Sequence, residues 1–163
     1  MPYDSGIRLL LRCGLQNAQK CPPHLTCALA VAWAQANGAA YGVSQMFFDN
    51  KHYFEYVANC RAAGINIPIV PGLVPVQNFR QTASFAQKTG ASVPAWLAAR
   101  FEGLEEDAAT RRLVAAAVAA EQALDLMDRG VQDFHFYTMN KADLVFAICH
   151  MLGLRPQPAQ KAA

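Results

Sequence analysis

After Gly38 the chain alternates short apolar runs that suit strands with longer segments that suit helices, and this alternation constrains the fold most. Tyr41 to Phe48 is a strand candidate, bounded by Gly38 and by Asp49-Asn50. A helix is expected from about Lys51 to Ala63, closed by Gly64. Ile67 to Val70 reads as a second, buried strand, stopped by Pro71-Gly72 and Pro75. Asn78 is placed to N-cap a helix that ends near Gly90. A longer helix is expected from about Leu104, with Glu105, Glu106 and Asp107 in a first turn where carboxylates complement the dipole. Leu113, Ala117, Ala120, Leu124 and Met127 recur at helical spacing and give it one apolar face, and Arg129-Gly130 ends it. Phe134 to Thr138 is the third strand candidate. The last helix spans about Lys141 to Leu152, with Asn140 as its cap, Asp143 at the third position, and Gly153 and Pro156 as stops.

Strands alternating with helices imply a parallel sheet. A closed (β/α)8 barrel takes about 250 residues. With three strand candidates in 163 residues, this chain is not expected to close one by itself.

The rest of the composition narrows the class. A hydrophobic fraction of 53% with 16% charged residues is that of a globular domain. A net charge of +2, with acids and bases mixed, argues against a nucleic-acid partner. No apolar run approaches the roughly 18 residues of a membrane span. Near the start, Leu9-Leu10-Leu11 lies between Arg8 and Arg12, too short for a secretory signal. The five cysteines include Cys13, Cys21 and Cys27 near His24, yet no metal-ligand spacing is present, and free thiols in a reducing cytoplasm are expected. Residues 1–37 differ in character from the remainder, with the breaker Pro22-Pro23 and an Ala-rich helix expected over Leu25 to Ala36. The tail 157–163 is expected to be disordered.

In βα architectures ligands sit beyond the C-terminal ends of the strands. That rule selects Gln45 to Asp49, Pro71 to Pro75 and Thr138 to Lys141. Strand alternation puts Tyr41, Val43, Gln45 and Phe47 on one face, where Gln45 is the polar exception. An amide satisfied by neighbouring backbone accounts for it as well as a ligand contact does. Gln81 and Phe85 share one helix face and would offer an amide beside a flat aromatic surface. The alternative is a core Phe85 with a solvated Gln81. Lys141 stands in a first helical turn, where a cation opposes the dipole unless an anion or water offsets it. His135 and Tyr137 share one strand face and read as a satisfied core pair. No dinucleotide fingerprint, Walker loop or nucleophile elbow is present.

Five ordered blocks carry a more specific signal: Val43 to Asp49, Ile69 to Val76 with Asn78-Phe79, Val93 to Trp96, Asp133 to Asn140, and Ala147 to His150. In content, order and spacing they resemble methylenetetrahydrofolate reductases, over about residues 38–156. The resemblance implies an α/β fold that is a partial (β/α)8 TIM barrel, its last three βα units, preceded by an unrelated N-terminal segment 1–37. It implies FAD-dependent reduction of 5,10-methylenetetrahydrofolate to 5-methyltetrahydrofolate, with NADH or NADPH as reductant, in the cytoplasm. By the family pattern Gln45 contacts the pterin, Gln81 contacts substrate, and Phe85 stacks on the aminobenzoyl ring or on nicotinamide. Lys141 stands where the family often has arginine, facing the glutamate carboxylate; lysine keeps the charge and loses the bidentate fork. No catalytic residue is assigned, since the family's glutamate acid, its flavin-tuning aspartate and most FAD contacts belong to sequence that precedes the matched region. Folate is the implied ligand, and a homo-oligomer or a complement supplying the missing barrel half is the implied partner. The alternative expectation is a truncated or frame-shifted, non-catalytic remnant of such a reductase.

Overall fold

The computed structural model describes the backbone of residues 9–12 and 27–30 and the complete residues 31–139 and 142–155. In chain order the elements are β1 (Leu9–Arg12), α1 (Cys27–Ala36), β2 (Tyr41–Met46), α2 (Asn50–Ala62), β3 (Ile69–Leu73), α3 (Phe79–Thr89), α4 (Ala95–Phe101), α5 (Ala108–Asp128), β4 (His135–Phe136) and α6 (Ala142–Met151). The sheet runs β1-β2-β3-β4. Strands β2, β3 and β4 are parallel and alternate with helices, as the sequence pattern requires. No described helix is long and apolar enough to cross a membrane.

β1 was not foreseen. It lies in the segment set apart by composition, yet Leu9 to Arg12 pairs antiparallel with Ser44 to Tyr41. The β2 edge is therefore covered, which satisfies backbone groups that an edge strand leaves unpaired. The opposite edge of the sheet ends on the short β4. The tail 157–163, along with Cys13, Cys21 and His24, lies outside the described residues.

The strict alternation expected of the first strand does not hold. Val43 pairs with Val70 but Met46 pairs with Gly72, so three steps along β2 match two along β3. The extra residue makes a bulge at Ser44-Gln45, and a bulge re-aims the side chains around it. Val43 and Ser44 are consequently both buried, and Gln45 is half-buried.

Helices cover the sheet through small or ring-bearing faces. Tyr53, Tyr56 and Cys60 are the buried face of α2, and the Tyr53 hydroxyl donates to the Ile69 carbonyl at 2.6 Å. Burial pushes the Tyr53 phenol up to about 12, against a smaller opposing influence of Arg61. The helix α4, which the sequence pattern did not mark, follows Pro94 and buries Leu97 and Phe101. Phe101 stacks on Phe79 with ring centres 5.9 Å apart, which ties α4 to α3.

Two expectations about α5 are corrected. Glu105 and Glu106 precede the helix, and Asp107 is its N-cap, accepting from the Thr110 N–H at 2.9 Å. Its buried face is Ala115, Ala116, Val118, Ala119, Ala120, Ala123 and Leu126. Leu113, Leu124 and Met127, assigned to the apolar face, are 72%, 46% and 37% exposed. Small alanines allow close approach of α5 to α2, α4 and α6, and that close packing outweighs the larger side chains' transfer preference. Ala119→Leu should therefore overpack the interface and cost about 1–3 kcal/mol. Leu124→Ala, on the same helix, should change stability by less than about 0.5 kcal/mol. Urea unfolding of the two variants checks the assignment, and the reverse order of effects would contradict it.

Candidate functional site

The loops beyond the C-terminal ends of β3 and β4 enclose a cavity of about 680 Å³. Its floor includes Val74 and Pro75, which directly follow β3, and one wall is α3. Asn78 fixes the start of that helix: its Oδ1 accepts from the Gln81 N–H at 3.0 Å. Gly90 fixes the end, with φ of 77°, a left-handed conformation that favours glycine. Between these caps Gln81, Thr82 and Phe85 face the cavity. Phe85 is 42% exposed, so it is a ring offered to the cavity and not a core ring. Gln81 is exposed beside it.

The opposite wall comes from α5 and the start of α6. Arg111 donates to three backbone carbonyls, Gln77 at 3.0 Å, Leu104 at 2.8 Å and Glu105 at 2.6 Å. It joins the loop after β3 to the loop before α5 and so shapes the cavity. Sequence reasoning missed it, because a helix expected from about Leu104 put Arg111 beyond the first turn, whereas α5 begins at Ala108. Arg112 pairs with Asp143 and bridges α5 to α6 at the rim. The hydrogen bond from Arg112, then that from the Leu144 N–H, holds the Asp143 carboxyl below its ordinary range. Met139 has φ of 51°, left-handed and uncommon outside glycine, where the chain leaves β4 and borders the cavity.

The structure brings Gln81 and Phe85 together in this cavity but does not bring Gln45 to its wall. The Gln45 Oε1 accepts from the neighbouring Met46 N–H at 3.3 Å, the local backbone contact that its pattern left open. Lys141 and its expected cap Asn140 lie outside the described residues; Met139 and Asp143, on either side in sequence, line the cavity. The core pair expected of His135 and Tyr137 is corrected: the rings meet edge to face at 4.7 Å, but His135 is exposed. A dinucleotide diphosphate needs free donors, such as a helix N-terminus or an available cation. Here Arg111 is taken up by carbonyls and Arg112 by Asp143, so neither of these two guanidinium groups stands free for a diphosphate.

A profile of the family described as methylenetetrahydrofolate reductase matches residues 34–153. The chain belongs to the methylenetetrahydrofolate reductase family. The match begins inside α1, before the Gly38 boundary suggested by composition. The chain is 47% identical over 119 residues to 5,10-methylenetetrahydrofolate reductase of Escherichia coli, covering 73% of this chain and 40% of that one. It is 46% identical over 123 residues to the reductase of Pectobacterium carotovorum, covering 76% of this chain and 41% of that one. It is 31% identical over 117 residues to methylenetetrahydrofolate reductase (NADH) 1 of Arabidopsis thaliana, 72% of this chain and 20% of that one. The chain thus spans about two-fifths of the bacterial reductases it matches, and the cavity with Gln81 and Phe85 lies inside the matched stretch.

Arg111→Met should remove the three loop contacts and lower stability by about 1–3 kcal/mol, because two part-buried carbonyls and one exposed carbonyl lose a charged donor. Arg111→Lys should restore little of it, since an ammonium cannot reproduce the planar fork. Thermal unfolding at neutral pH checks both. Asp143 gives a pH signature. Its folded pKa is depressed, so its contribution is present above the ordinary aspartate value of about 3.9 and is lost as pH falls through the folded value. Asp143→Asn should remove that part of the acid transition.

Proposed function

We propose that this chain is the folate-side portion of a methylenetetrahydrofolate reductase, its three parallel strands corresponding to the last three βα units of the barrel. The observation that carries this reading is the capped helix α3, which holds Gln81 and Phe85 together on a cavity wall at the strand ends. The reaction is reduction of 5,10-methylenetetrahydrofolate to 5-methyltetrahydrofolate with NADH or NADPH as the reductant. FAD carries the reducing equivalents when bound, and its diphosphate contacts come from outside this chain.

Each residue then has a task that its chemistry suits. Phe85 gives a flat apolar face for the aminobenzoyl ring or the nicotinamide, and Gln81 gives an amide donor and acceptor beside it. Gln45 hydrogen-bonds the pterin, which has a donor-acceptor edge suited to a carboxamide. Lys141 provides the charge for the glutamate carboxylate, as a point charge without bidentate geometry. The remaining strands come from a complementing barrel half, and the assembly works in the cytoplasm.

The test uses this chain co-expressed with the remaining part of the Escherichia coli catalytic domain. Phe85→Ala should reduce turnover of both folate and nicotinamide by several-fold to about tenfold, the value of a lost aromatic stack. Lys141→Ala should raise the KM for methylenetetrahydrofolate and spare nicotinamide oxidation by an artificial acceptor. Lys141→Arg should restore or improve folate binding. Equal loss of both activities in Lys141→Ala would contradict the carboxylate contact. A co-expressed pair that assembles without turnover would favour a non-catalytic relative.

A second outcome concerns the chain alone. Purified without its complement, it should lack the visible flavin absorption bands. A yellow preparation with one FAD per chain would contradict the division of the site proposed here.

A further inference from the structure

The bulge of β2 is held from two sides by residues to which the proposed activity gives no role. A bulged residue is left out of the sheet ladder, so its backbone groups need other partners. Ser44 is fully buried, and its Oγ accepts from the Gly72 N–H at 2.9 Å, standing in for a ladder carbonyl. The Ser44 carbonyl oxygen accepts from the Tyr137 hydroxyl at 3.1 Å. That bond reaches from just beyond β4, across β3, to β2. It passes over Gly72, where a Cβ would clash with the Ser44 carbonyl oxygen and lie 2.7 Å from Cε2 of Tyr137. Tyr137 is itself anchored, its N–H donating to the Leu73 carbonyl at 2.8 Å.

We infer that Tyr137, with Ser44 and Gly72, is a positioning device that locks the β2 bulge and so aims the carboxamide of Gln45. The inference rests on the reading of Gln45 as a ligand contact. The Ser44 carbonyl and the Gln45 N–H belong to one planar peptide, so fixing that oxygen fixes the plane from which Gln45 leaves the strand. The contact of Gln45 Oε1 with the Met46 N–H then orients the amide, leaving Nε2 without a partner among the described residues. Burial pushes the Tyr137 phenol up to about 12, which keeps its hydroxyl a donor at any ordinary pH. Phenylalanine would fill the same space without the donor. The hydroxyl is thus needed for this bond and not for packing.

Amide hydrogen exchange and side-chain amide resonances in the 163-residue chain test the inference. In Tyr137→Phe, exchange at Gln45 and Met46 should rise about fivefold to tenfold, the scale of one lost net hydrogen bond. The Gln45 side-chain amide signals should shift, while Ala119 and Ala123 in α5 stay as in the wild type. Gly72→Ala displaces the same contact from β3 and should give the same local signature; if it fails to fold, Tyr137→Phe decides alone. Unchanged Gln45 signals, or faster exchange spread evenly over the core, would overturn the inference. Folic acid titration separates it from the reading beneath it. If Tyr137→Phe perturbs Gln45 but neither it nor Gln45→Ala alters folic acid affinity, the lock stands and the ligand role of Gln45 falls.

Discussion

The parallel pairing of β2 with β3 is the contact on which the other parts of the structure depend. It brings Met46 opposite Gly72 and sets the point where both strands release their chains towards the ligand side. Its closeness is possible because Gly72 has no side chain to meet the Ser44 carbonyl. From β3 the chain passes directly into Val74-Pro75 and the Asn78 cap, so the position of α3 follows from that of the strand. From β2 it passes into the Asp49 cap of α2, whose Tyr53 bonds back to β3 at Ile69. A shift between these two strands would move both sides of the site.

Much of this fold was legible because its signals are local. Glycine punctuation and the Asn78 cap each act within a few residues, so most helices fell near their expected positions; Pro71-Gly72, expected to stop the second strand, instead lie inside β3, which runs to Leu73. The failures came where a distant partner decides. The buried face of α5 is its alanines, since neighbouring helices approach closely, and hydrophobic spacing alone favoured Leu113, Leu124 and Met127. β1 is a four-residue strand that exists through its pairing with β2. The bulge at Ser44-Gln45 depends on Gly72 and Tyr137, which lie far along the chain, and alternation could not show it.

The site divides in the same way. Gln81 and Phe85 were found by helical spacing, and the structure places both on one cavity wall. Arg111 was missed because its partners are carbonyls of two loops, and carbonyls carry no sequence signature. Gln45 shows the limit of reading a polar residue in an apolar strand: its backbone contact is local, and its aim is set by residues on other strands. Lys141, outside the described residues, rests on the family resemblance alone.

We propose that the cavity bounded by α3, α5 and the exit of β4 receives the aminobenzoyl ring of folate. Nuclear Overhauser contacts between the Phe85 ring and the aminobenzoyl protons of 5-methyltetrahydrofolate, at saturating ligand, test it most directly. Those contacts are expected, with shifts at Gln81 and Met139 and none along the outer face of α5 at Leu113 and Leu124. Contacts on that outer face, or none at Phe85 under saturation, would contradict it.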